Sequence, residues 1–198
     1  MKSVFLITTL SLGCYFAQAQ KSHSSSTHTE FGVKAGLNVS NVNDENSTNP
    51  DSKASVHVGV LAHIHLDRQF ALQPEVLFSG QGYKYTFAGT DYKVSLNYII
   101  IPILGQLMFG DGFRLETGPQ PGVLASAHRK VNGNSTDINK DVKTFDLSWV
   151  FGLGYLTKSG FGVDARYNLG LTDVNDDNSS SSVKNRVFAV GVFYQFRQ

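Results

Sequence analysis

The sequence contains one cysteine, Cys14, and no apolar run long enough for a helical membrane span. Charged residues are only 17% of its 198 residues, few for a surface that meets water on every side. No segment repeats apolar residues at helical spacing over a useful length. A lone cysteine excludes an internal disulfide framework and any cysteine-based metal site. Nothing matches a phosphate-binding loop or a nucleotide fold.

Lys2, the apolar stretch Val4 to Leu12, and Ala17-Gln18-Ala19 before Gln20 read as a signal peptide over residues 1–19. A lipoprotein signal would use Ser11-Leu12-Gly13-Cys14, but Ser11 stands where an aliphatic residue is required. Cleavage at Gln20 removes Cys14 and Lys2, leaving Lys and Arg equal in number to the 16 acids. A neutral mature chain has no general attraction for nucleic acid, so no nucleic-acid partner is expected. An exported domain without disulfides must be stabilised another way, and closing a sheet into a barrel is one.

What the chain does have is alternation. In residues 160–173, Phe161, Val163, Ala165, Tyr167, Leu169 and Leu171 share one face, and Gly162, Asp164, Arg166, Asn168 and Gly170 the other. The same period of two marks strands near 31–40, 55–66, 70–82, 96–109, 113–127, 144–155 and 186–196. Between them lie polar loops at 41–53, 83–93, 128–143 and 173–184, alternating with tight turns at 67–69, 110–112 and 157–159. The apolar run Tyr98 to Leu104 defeats a clean face assignment and predicts a bulge near Pro102. Pro119 and Pro121 predict a bulge in the following strand.

Eight strands of about ten residues, with short turns at one end and long loops at the other, predict an all-β protein, an eight-stranded antiparallel up-and-down transmembrane β-barrel. The expected organisation is a signal peptide at 1–19, a flexible leader at 20–30 and the barrel at 31–196. Two features favour a membrane barrel over a soluble one. Phe31, Phe70, Phe109, Phe113, Tyr155, Phe161 and Phe196 gather at the short-turn rim as an interfacial girdle, with Phe145 and Phe188 starting a thinner row opposite. The polar face is rich in glycine and carries both charge signs, which suits a crowded lumen. The expected address is the outer membrane of a Gram-negative-type cell, with short turns and both termini periplasmic.

Several stretches resemble the PorT-like outer-membrane β-barrel family: LQPEVLFSGQG from Leu72, YIIIPIL from Tyr98, GPQPGVL from Gly118 and DARYNLGLTD from Asp164. FGVKAGLNVSN, from Phe31, is similar to that family's first strand. The resemblance spans residues 31–196 and implies an eight-stranded outer-membrane barrel, with little said of activity. Ile100 departs from an acidic lumen residue common in the family, and Arg197-Gln198 follow the terminal aromatic.

Three constellations are candidate sites. Glu75, Arg114, Glu116, Asp146, Asp164 and Arg166, with Lys34, point inward and would form a structural polar network in a side-chain-filled lumen. His63 and His65 share a face and could hold a metal together, but His57 lies about 20 Å along the strand, so the three read as structural histidines. Ser126 and His128 stand two apart as in lipid-modifying barrel enzymes, a spacing that is common by chance. No cofactor, metal or catalytic residue is therefore expected. The expected function is non-enzymatic: a structural or accessory component of an envelope assembly, linked to secretion if the family resemblance extends that far. Its partners would be outer-membrane lipids and other envelope proteins. A narrow channel or small-ligand-binding barrel is the alternative.

Overall fold

The computed structural model describes residues 28–44, 51–87, 89–131, 134–139, 143–173 and 183–196. The expected signal peptide and cleavage site, most of the expected leader, parts of all four expected polar loops and residues 197–198 lie outside these residues. Ten strands follow in order: β1 (Thr29–Asp44), β2 (Asp51–His65), β3 (Phe70–Phe87), β4 (Thr90–Ile100), β5 (Ile103–Phe109), β6 (Phe113–Val131), β7 (Asn134–Asp137), β8 (Phe145–Leu156), β9 (Phe161–Asp173) and β10 (Val183–Phe196). Every pairing is antiparallel, and β1 pairs both β2 and β10, so the sheet closes. β4 and β5 are two halves of one wall strand, since β3 and β6 pair both. β7 is a short addition to β6. The wall is thus an eight-stranded barrel with no free edge.

The alternation decides which side is which. Phe31, Leu37, Val58, Leu115, Phe151 and Val163 are exposed on the outer face, whereas Lys34, Glu75, Arg114, Glu116, Asp164 and Arg166 are buried inside. A soluble barrel would reverse this. On the short-turn rim Phe113 lies between Phe109 and Tyr155, ring centroids 6.1 and 4.9 Å apart, and Tyr194 meets Phe196 at 5.5 Å. The turn at 110–112 depends on two glycines in left-handed conformation, Gly110 at φ 60° and Gly112 at φ 131°. A Cβ on Gly112 would lie 2.1 Å from the Leu156 carbonyl oxygen.

Several expectations are corrected. β1 begins at Thr29, so the last two leader residues belong to the wall. There is no bulge at Pro102. The pairing of β3 with Ile100 and with Ile103 keeps one register, so the strand is interrupted at residues 101–102 without changing faces. Leu96, Tyr98, Ile100, Pro102, Leu104 and Gln106 all point inward. Pro119 and Pro121 do not distort β6 against β8, whose register is unbroken from Phe113 to Val123. Ile101 donates its N–H to the Pro121 carbonyl, so the proline side of β6 faces the interruption. Three prolines meet where the ladder is already open, and the Pro121 and Pro102 carbonyls accept from Ile101 and Glu75. β6 does bulge as expected, but past its prolines, where Asn97 faces Ser126 while Tyr98 faces Leu124.

The expected loop at 83–93 is mostly strand. Phe87 pairs with Thr90, and β4 continues alongside β6 as far as Val131. β3, β4, β6 and β7 therefore rise as a sheet beyond the apolar outer belt, which ends at Phe78, Ile99 and Val123. Its inner side carries a buried cluster of Leu77, Val94, Leu96, Tyr98, Ile100, Ala127 and Ile138. Ile138, just after β7, folds back into it while its N–H bonds the Ala127 carbonyl.

Candidate functional site

The lumen is layered. Toward the short turns, Leu61, Leu156 and Phe193 form an apolar cluster, and the Arg114 guanidinium lies 5.5 Å from the Phe193 ring centre. The ionic centre lies above. β9 presents Arg166 from one side of the barrel and β3 presents Glu75 from the other, while Glu116 comes from β6. Arg166 donates through its two terminal nitrogens to both Glu75 oxygens at 2.7 Å. Its Nε donates to Glu116 Oε1 at 2.5 Å. The planar guanidinium thus grips one carboxylate with its fork and a second with its edge, an arrangement lysine could not provide.

Gln73 donates to Glu75 and Gln106 to Glu116, at 2.7 and 2.9 Å. Lys34 of β1 donates to Asp164 at 2.5 Å, and Asp164 Oδ1 is 3.8 Å from Arg166 Nε. Room for this cluster comes from Gly152, which stands opposite both Glu116 and Arg166 in the sheet. A Cβ there would lie 2.7 Å from Glu116 Oε1 and 3.0 Å from Arg166 Cγ.

Five of the expected residues, Lys34, Glu75, Glu116, Asp164 and Arg166, are therefore brought together. Arg114 stands over Phe193 instead. Asp146 lies toward the long-loop end, where Thr172 Oγ1 donates to it at 3.3 Å. Gln73 and Gln106 were not singled out from the sequence. Their inward phase was the available signal, but neutral amides do not stand out among charges.

The histidines separate as their spacing requires. His57 Nδ1 meets Asn38 Oδ1 at 2.8 Å, and His63 Nδ1 meets Gln73 Oε1 at 3.3 Å. His63 packs edge-on against His65, centroids 4.5 Å apart. Among the described residues no group of three His, Cys, Asp or Glu side chains is placed to hold a metal ion. His63 and His65 border a cavity of about 350 Å³ at the short-turn mouth, lined also by Glu30, Arg68, Asp111 and Arg114. Ser126 and His128 follow the β6 bulge on the outer side of the wall. The Ser126 hydroxyl accepts from Asn97 Nδ2 at 2.9 Å.

A closed antiparallel ring with apolar residues outside and paired charges within is an integral membrane β-barrel. More particularly, residues 16–176 match the model of the outer membrane protein beta-barrel domain, and the chain belongs to that family. Its match is to this broad family. A comparison with curated proteins finds no match. Among solved structures the fold is similar to Ail, the attachment invasion locus protein of Yersinia pestis. That likeness has a TM-score of 0.54 and 16% identity over 85% of this chain and 99% of Ail. Neisserial surface protein A gives the same figures: TM-score 0.54, 16% identity, 85% of this chain and 99% of that one. At such identity the likeness concerns fold alone.

Proposed function

We propose that the protein is a non-conducting, non-enzymatic outer-membrane barrel that serves as an accessory component of an envelope assembly, with the long loops outside and both termini periplasmic. The observation that carries this reading is the guanidinium of Arg166 held simultaneously by Glu75 and Glu116 across the barrel axis. A lumen bridged in this way offers transport no open path and leaves the outer surfaces to act. The sheet that β3, β4, β6 and β7 raise above the belt is one such surface. The PorT-like stretches support an assembly linked to secretion. The Ser126 hydroxyl accepts from Asn97 on the outer wall, and Asp137, directly opposite His128, accepts from Asn139, which supports a non-catalytic role.

The test is quantitative co-purification from native membranes of the full chain and of a variant with residues 84–93 replaced by a tight turn. The expected result is an envelope protein that accompanies the full chain and is lost from the shortened one. A partner retained equally by both, or none with either, contradicts the reading. A second reading is small-ligand binding at the short-turn mouth, favoured by the cavity beside His63, whose buried Nε2 has no hydrogen-bond partner among the described residues. Ligand-induced chemical-shift changes confined to His63 and His65 would support it.

A further inference from the structure

Three lysines stand in one row across the raised sheet. Lys84 of β3 is directly opposite Lys93 of β4, and Lys93 is directly opposite Lys130 of β6. Directly opposed residues share a face, with Cβ atoms about 5 Å apart. All three are exposed, and none of the side chains described is ion-paired with them. In the same register Asp51 of β2 faces Lys84, which leaves Lys93 flanked by lysines on both sides.

Like charges directly opposed cost stability, so the row calls for an anion. A fourth ammonium lies beneath it. Lys53, beyond the apolar belt, donates to the Gln81 carbonyl at 2.7 Å. Burial first, then the ammonium groups of Lys93 and Lys84, lower its pKa to about 8.

The position of the row narrows the anion. It faces sideways, on the same side of the sheet as the lipid-facing residues Phe78 and Ile99, and six residues further along each strand. Such a length lifts it about 15 Å above the apolar edge once strand tilt is allowed for. A phospholipid headgroup layer is only about 5–7 Å deep on each side. Ser95, Asn97, Ser126 and His128 fill the outer face between the belt and the row with hydrogen-bonding groups. We infer that Lys84, Lys93 and Lys130 bind the phosphorylated saccharide headgroup of a neighbouring lipopolysaccharide, with the polar band below them against its sugars. The inference deepens the proposed function by naming one partner class, and it rests on that reading's orientation, long loops outward.

The test uses the full chain folded in zwitterionic detergent. Its thermal transition and lipopolysaccharide retention are measured for wild type, for the Lys93→Gln/Lys130→Gln double variant and for Arg68→Gln at the other end of the barrel. Without added lipid the double variant should melt at or above the wild-type temperature, because like-charge repulsion is relieved. With lipopolysaccharide, wild type and Arg68→Gln should gain stability, and the double variant should bind about tenfold or more weakly. Dephosphorylated lipopolysaccharide should give wild type no more than the double variant obtains.

Equal response of the double variant and wild type would overturn the assignment. An equal shift from phosphatidylglycerol, or from inorganic phosphate at the same phosphate concentration, would also overturn it. Orientation is read separately. Ser135→Cys should react with an impermeant maleimide on intact cells, and labelling of Ser159→Cys instead would refute the orientation whatever the binding result.

Discussion

Arg166 is the residue on which the lumen depends. Its guanidinium cannot shed its proton and meets two carboxylates in a space nearly free of solvent. Truncation leaves Glu75 and Glu116 buried and unpaired, a loss that costs about 3–5 kcal/mol in comparable settings. Arg166→Ala should therefore lower the heat-modified gel transition of the folded barrel far more than Arg68→Ala, whose side chain is exposed in a turn. Equal melting of the two would mean that Arg166 bears no such load. Gly152 gives a second check by crowding rather than by charge. A methyl at this position intrudes on both Glu116 and Arg166, so Gly152→Ala should destabilise by about 1–3 kcal/mol. Gly105→Ala, where the nearest atom is 3.7 Å away, should be nearly silent in the same gel assay.

At the scale of elements, the raised sheet owes its order to its inner side. Ile138 closes the cluster of Val94, Leu96 and Tyr98 from outside the regular strands. Ile138→Ser should free the segment around β7, and limited proteolysis should cut residues 132–142 several-fold faster while the barrel below stays intact. An unchanged cleavage rate would place the order of β7 in its pairing with β6 instead. This element is also where sequence reading was weakest. Alternation identified the wall strands because one face must be apolar along a lipid-facing belt, and it continued through Ile100 to Leu104 even though both faces there are apolar. Past the belt the constraint disappears. Lys84, Thr86, Asp91 and Lys93 read as a loop because strands in water can be polar on both faces. Pro102, Pro119 and Pro121 each read as a local defect. Only the pairing of β4, β5 and β6 shows that they share one interruption.

For the whole molecule, the inward residues were legible as a set, because charge on the glycine-rich face has nowhere else to go. Their partners were not. Which carboxylate meets Arg166 depends on strands 50 and 91 positions away in sequence, and only closure of the ring fixes that. Closure also bridges the barrel across its middle through Arg166, Glu75 and Glu116, with Leu61, Leu156 and Phe193 packed beneath. Single-channel recording of the full chain in planar bilayers tests it most directly. No steady conductance at moderate voltage is expected for wild type. Reproducible openings of fixed size from the wild-type protein would contradict it.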